Sequence, residues 1–431
     1  MAKGRAIWQF EAMLGVVGLL ALGVAYGVAT GWNPLPRLQG WLDRAHALAE
    51  PAPAWTVTAG DEPSGAVVAG TAVVISSGRT VSGYTLSGGT QQWTRETGWS
   101  AVAGSGAGAV VVAAKAKRGY DALDPATGAV RWSDPTATGA WTFTDLVIGV
   151  ACPQPGACTL TARAPDGGAV RWQASLTGDV HGVSGVNHAL AGLRPLGRAV
   201  GVPAPVPPLL GFPVDDRVQV VDSRNGSRLT AYRSTSLTWA TVAGSRVVIT
   251  GRDKKKGPCR PRTDGRDPAG DRSVWHLDGY DLHTGTPLGC DQRNGPAGAG
   301  GLIDATSPDG HEVLLDPATG EEAYRAGTGE KIIDSDGRLV LVRTADKDAV
   351  KAVDVASGAV RWQRAAPKGA GVLLGPAVVV FTDPGAGKLT AVSPTNQVLV
   401  DVTSRASVLG YAETGLLIAS GSEVGLLTYR R

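Results

Sequence analysis

From residue 55 onward the hydrophobic positions fall in short bursts. Ala109–Ala113, Arg246–Thr250, Arg338–Val342 and Ala377–Phe381 are nearly continuous in apolar residues. Runs this short, rich in Val, predict strands buried on both faces rather than helices. A second strand, a glycine turn and an aromatic then follow. Residues 120–132, Tyr-Asp-Ala-Leu-Asp-Pro-Ala-Thr-Gly-Ala-Val-Arg-Trp, show the unit most clearly. Alternation stops at Asp124-Pro125, where proline presets φ, and Gly128 tolerates the positive φ that such a turn needs. The next strand carries Trp132. One such hairpin cannot bury its apolar side alone, so its recurrence decides the fold.

The unit recurs with turns at 89, 128, 168, 226, 285, 320, 358 and 396, the last with Asn396 in place of glycine. Most intervals lie near a period of about 38 residues, the range of blade-type repeats. The two long intervals predict insertions of about 20 residues beyond that period. One holds the Pro-rich, apolar Pro203–Pro213, read as a rigid cap or contact surface; the other holds the charged stretch Lys254–Asp271, read as a solvated loop. Short strands, no long helical pattern and this period select an all-β propeller over a sandwich or a helical solenoid. Residues 415–429 supply two strands with no turn and Trp after them, while Ala54–Thr58 is a Trp strand with no turn before it. We expect the first strand to complete the last blade and remove an exposed edge. The expectation is eight blades over 55–431, with seven or nine as alternatives.

The pattern Ala/Val-x-Asp-x-x-Thr/Ser-Gly-x-x-x-Trp in Ala122–Trp132, and again in Ala352–Trp362, closely resembles the tryptophan-docking motif of PQQ-like (quinoprotein-like) β-propeller repeats. The resemblance covers about residues 55–431 and points to a membrane-anchored bacterial member. It implies that Trp55, Trp93, Trp132, Trp172 and Trp362 pack between neighbouring blades, and that Gly128, Gly168 and Gly358 belong to the turns that fasten them. It does not carry the cofactor across. Quinoprotein dehydrogenases of this family hold a vicinal Cys pair, a catalytic Asp and a calcium site of Glu and Asn, and this chain has no adjacent cysteines. We expect no cofactor, no metal and no catalytic residue.

The N-terminus is different in kind. Ala12–Gly31 contains no charged residue, follows Lys3 and Arg5, and is flanked by Trp8 and Trp32. Twenty helical residues span about 30 Å, one hydrocarbon core, and interfacial aromatics belong at such ends. The expected domains are therefore a cytoplasmic 1–11, a transmembrane helix over 12–31, a linker over 32–54 and the propeller outside the cytoplasmic membrane. A cleaved signal peptide, with small residues near Gly27 and Ala29, is the competing reading.

Composition adds little beyond this. The 431 residues include 60 Gly and 27 Pro with 43% hydrophobic residues, which suits many turns between short apolar strands. A net charge of +3 gives no electrostatic case for nucleic acid. Cys152, Cys158, Cys259 and Cys290 form an even set in a chain expected outside, so disulfides are the favoured reading and four buried thiols the alternative. The six His residues show no ligand spacing, and His181 and His188 are the nearest pair. No phosphate loop, nucleophile elbow or zinc-protease motif occurs. The function expected is a non-catalytic scaffold binding a protein or cell-envelope ligand. The alternatives are a quinoprotein-type oxidoreductase with a degenerate PQQ site and an extracytoplasmic sensor coupled to another membrane protein.

Overall fold

The computed structural model describes residues 48–178, 194–195, 203–233, 238–252, 261–268, 272–278, 280–283 and 297–430. The chain divides into two units, Met1–Ala47 and Leu48–Arg431, and the described residues lie in the second. Among them the strands form nine sheets, the blades of an all-β propeller. We number them in chain order. Blade one runs from Pro63–Ala69 to Gln91–Glu96, blade two from Ser100–Ala103 to Val130–Asp134, and blade three from Gly139–Thr142 to Val170–Thr177. Blade four has three described strands, Leu209–Val214, Arg217–Asp222 and Arg228–Arg233. Blade five runs from Thr238–Ala243 to Arg272–Asp278, and blade six from Ala297–Ala299 to Glu322–Arg325. Blade seven runs from Lys331–Ser335 to Val360–Ala365, and blade eight from Gly371–Gly375 to Val398–Thr403.

Blade nine joins the two ends of the ring. Its strands Ser407–Ala412, Gly415–Ser420 and Glu423–Thr428 are completed by Thr56–Thr58, which pairs antiparallel with Glu423–Thr428. Pairing the first strand with the last leaves neither as an open edge. The chain just before it is also held: Leu48 and Ala49 are buried between blades eight and nine, and Glu50 and Thr403 exchange backbone hydrogen bonds of 2.9 and 3.2 Å.

The core is divided among the seams. Nine clusters of buried side chains each join two neighbouring blades, as Val74 and Val81 of blade one meet Val111 and Leu123 of blade two. This explains the continuously apolar runs: a strand in the middle of a blade faces a neighbour on both sides. The seams are unequal. Those between blades three and four and between eight and nine each bury fourteen residues, whereas the seam between six and seven buries five.

The structure corrects four expectations. There are nine blades, not eight. Asp281–Leu282, just before the turn expected at 285, pairs with Leu302–Thr306 inside blade six, and Gly285 itself lies outside the described residues. The outer hairpin of blade five lies earlier, between Pro261–Asp267 and Arg272–Asp278, within the stretch read as a charged insertion. Arg262, Asp264 and Arg266 are strand residues there, and Asp264 Oδ1 accepts a hydrogen bond from His276 Nδ1 at 2.7 Å. Likewise the second half of Pro203–Pro213 belongs to the first strand of blade four, where Leu209, Leu210 and Phe212 are buried. Finally, the single-pass membrane topology has no span to rest on among the described residues: no helix there is long and apolar enough to cross a membrane. Residues 12–31, on which that expectation was placed, lie outside the described residues.

Deleting the chain through Thr58 is expected to expose the edge of Glu423–Thr428, lower the thermal midpoint and produce concentration-dependent self-association. Calorimetry and size-exclusion chromatography check this; an unchanged midpoint in a monomeric protein would remove ring closure as a stabilising element.

Candidate functional site

Five of the nine seams are fastened by one repeated device. A tryptophan on the outer strand of one blade lies on the outer turn of the next and donates its indole N–H to a carbonyl three residues before the turn glycine. Trp55 donates to Leu86 O at 2.8 Å, Trp93 to Pro125 O at 2.9 Å, Trp132 to Pro165 O at 2.7 Å and Trp172 to Ser223 O at 2.7 Å. Trp362 donates to Pro394 O at 3.0 Å, beside a turn that carries Asn396 at φ +66. Gly89, Gly128, Gly168 and Gly226 have φ between +65 and +75, and a methyl at any of them would approach the docked indole to 2.6–2.8 Å. These turns therefore need glycine twice over, for the backbone angle and for the ring above it.

An aspartate at the head of the turn holds its shape. Asp124 Oδ1 accepts from the Ala126 and Thr127 amides at 3.0 and 2.9 Å, while Oδ2 accepts from Arg131 at 2.6 Å. Asp354 repeats this with the Ser357 amide at 3.0 Å and with Arg361. The Asp354 carboxyl is held down to about 2, chiefly by its hydrogen bond from Arg361. Asp124 is also lowered: its bonds from Arg131 and Thr127 outweigh desolvation, the largest single influence, which acts upward.

Small residues make room for the indole. In the third strand, Gly83 stands opposite Trp93, Ala122 opposite Trp132, Ala162 opposite Trp172 and Ala352 opposite Trp362, each followed by a register shift. Such bulges sharpen the local twist and re-aim the side chain. Blade six breaks the pattern. Its docking position holds Tyr324, and Leu314 stands opposite in place of the small residue.

The consequence is an open slot between blades six and seven. Gly358 has φ +68, like the other turn glycines, but a methyl there would meet nothing within 4 Å. The Val355 carbonyl, at the position that accepts an indole N–H elsewhere, accepts no hydrogen bond among the described residues. A cavity of about 410 Å³ occupies the space, bounded by Tyr324, Arg325, Glu330, Lys351, Val355 and Gly358. Its walls are ordered. Glu330 pairs with Lys351, and Arg325 bridges Glu322 at 2.8 Å and Asp309 at 2.7 Å. Burial, with Glu330 adding to it, pushes the Tyr324 hydroxyl up to about 12. Val360, on the rim, is 54% exposed.

The sequence-predicted residues fall as follows. Trp55, Trp93, Trp132, Trp172 and Trp362 lie in five different seams. Gly128 and Gly168 lie under indoles, and Gly358 lies under none. Cys152 and Cys158 form a disulfide in the hairpin of blade three; Cys259 and Cys290, like His181 and His188, lie outside the described residues. Two features escaped sequence reasoning. One is the open slot, for which Tyr324 and Leu314 at positions of Trp and Ala were the available signal. The other is a chain in blade six in which His283 Nδ1 meets Asp304 at 2.7 Å and Nε2 meets Thr306 Oγ1 at 2.6 Å. Its spacing had no motif, because the residues come from separate strands. Burial raises the Asp304 carboxyl.

A quinone cofactor with its calcium does not fit the described residues. No group of three or more His, Cys, Asp or Glu among them is placed to hold a metal ion, and the one disulfide joins cysteines six positions apart rather than neighbours.

Comparison with known proteins gives one family. The family described as outer membrane protein assembly factor BamB matches residues 43–148 and 264–407, more than half of the chain. No curated protein matches the chain. Similar solved structures include BamB from Moraxella catarrhalis, at 18% identity over 81% of this chain and 96% of that one, with a TM-score of 0.36. A europium-containing methanol dehydrogenase has 14% identity over 76% of this chain and 84% of that one, with a TM-score of 0.36. The computationally designed Ika8 protein has 11% identity over 87% and 99%, with a TM-score of 0.40.

Two outcomes follow from this geometry. Gly128→Ala and Gly358→Ala share the strain of a left-handed residue, about 1–2 kcal/mol, but only the first meets an indole. Denaturant titration should show Gly128→Ala the more destabilising by a further ~1–3 kcal/mol, the usual range for overpacking; equal losses would contradict docking at Gly128. The second concerns Asp334, whose carboxyl is raised from 3.8 to about 6 by burial. The folded state holds that proton more tightly than the unfolded chain does. The resulting stability is complete below the unfolded value and lost as pH rises through about 6. Asp334→Asn should therefore stabilise at pH 7 by about 1–3 kcal/mol at 1.36 kcal/mol per unit, and little at pH 4. A variant that destabilises equally at both pH values would contradict it.

Proposed function

The chain belongs to the family described as outer membrane protein assembly factor BamB, and on that premise we propose that it is a non-catalytic protein-binding scaffold of the bacterial cell envelope. Fold alone does not assign function, so the reading rests on what the side chains are used for. The observation that carries it is the commitment of the chemically capable residues to structure. Asp124, Asp222, Asp316 and Asp354 each accept backbone amides inside an outer turn. Glu312 receives Lys331 and the Ile332 amide from the next blade. The His283 chain comes closest to a nucleophile–base–acid arrangement, and it lies along paired strands of one blade. A ring so built offers surface rather than a reaction centre.

The surface has apolar points to offer. Val130, Val170 and Val360, two residues after their turn glycines, are 47%, 50% and 54% exposed. Apolar groups set in a polar surface are the usual anchors of a protein interface.

Placing a photo-reactive amino acid at Val130, Val170 and Val360, in separate variants expressed in the native cells, is expected to yield a reproducible cross-link to one envelope protein from at least one position. Folded, expressed variants that cross-link to nothing at all three positions would overturn the reading.

A further inference from the structure

We propose that the slot between blades six and seven is a binding site for a tryptophan side chain presented by a partner polypeptide. This rests on the scaffold reading and deepens it by naming what the partner must carry.

The molecule itself shows what such a slot holds. In four other seams the same turn, with the same left-handed glycine, lies under an indole whose N–H reaches the carbonyl three residues earlier. Between blades six and seven the glycine, the carbonyl and the Asp354-clamped turn are all present, and among the described residues no indole lies on them. The slot is also large enough. An apolar cavity of ~150 Å³ admits a benzene ring, and the 410 Å³ here lies within the range of small-molecule sites, about 300–1,000 Å³. Tyr324 occupies the blade-six side of the slot but makes no hydrogen bond across the seam, so the Val355 acceptor stays open.

The lining favours an aromatic with a donor over a plain aliphatic group. Val353, Val355 and Val360 offer apolar surface, and the Val355 carbonyl offers one acceptor. Arg325, 41% exposed and fixed between Glu322 and Asp309, lines the slot, and a guanidinium there is suited to the face of an indole. Leu314 is what keeps the slot open: filling the position opposite residue 324 denies the chain's own outer strand the space that Ala122 or Ala352 gives to Trp132 or Trp362.

The test uses the full chain and N-acetyl-5-fluoro-tryptophanamide, whose fluorine resonance is separate from the protein's own tryptophans. Titration should give a saturable shift. The double variant Leu314→Ala/Tyr324→Trp, designed to dock its own indole, should keep or raise the thermal midpoint and weaken probe binding at least tenfold. Gly358→Ala, which places a methyl on the slot floor, should also weaken it at least tenfold, and serves if the double variant does not fold. N-acetyl-leucinamide should fail to displace the probe. Binding that is absent, or unchanged in every folded variant, would overturn the site. Cross-linking separates the two readings. If the partner still cross-links to the double variant as to the wild type, the scaffold stands and the slot falls. If the probe binds in the slot while no partner is captured, the slot stands and the scaffold reading falls.

Discussion

The docked indole is the interaction on which the ring depends. A blade of four strands cannot bury both of its faces by itself; it does so only against its neighbours, and the angle between neighbours must be repeated around a closed circle. A tryptophan bonded to the next turn's carbonyl fixes that angle at one point in each of five seams. Removal of such a side chain costs about 3–5 kcal/mol in an ordinary core. Here it would act on a seam whose buried cluster is shared by two blades, so its effect reaches both.

That dependence makes the seam between blades six and seven informative, because its turn keeps the glycine and the carbonyl without a docked indole among the described residues. It has the smallest buried cluster among the described seams and no indole. It is held instead by charges: Lys331 to Glu312, Lys351 to Glu330, and the Ile332 amide to Glu312. The Lys331–Glu312 pair, with Lys331 exposed, contributes little, typically up to ~1 kcal/mol. A seam that trades apolar burial for polar links is weaker, more open and more adaptable than its neighbours. Those are the properties expected of a place where a partner can enter.

Much of this was legible in the residues. The glycine turns, the tryptophans and the pairing of the first strand with the last blade could all be read from spacing, because turn chemistry is local and leaves a mark at fixed offsets. What was misread has physical causes. The third strand of blade five, Pro261–Asp267, is so polar that it reads as a loop; its strand character comes from the two strands beside it. Tyr-Asp-Leu-His-Thr before Gly285 reads as the lead-in to an outer turn, while Asp281–Leu282 pairs inside blade six. Pro203–Pro213 seemed to be one insertion because Pro213 lies within a strand, opposite Val218. The open slot was hidden for another reason: it depends on the pair Tyr324 and Leu314, ten positions apart, and neither residue is unusual alone.

Amide hydrogen exchange at the turn glycines tests the central claim most directly, that docked indoles fasten five seams and that the turn of blade seven carries none among the described residues. Gly128, Gly168, Gly226 and Gly358 each donate to the carbonyl of the turn residue four positions earlier, at 2.8–2.9 Å. Their local bonding is alike, and the covering indole is the difference. The account predicts that the Gly358 amide exchanges at least tenfold faster than those of Gly128 and Gly168, in keeping with about 1.4 kcal/mol of lost protection. Equal protection at all four would contradict it.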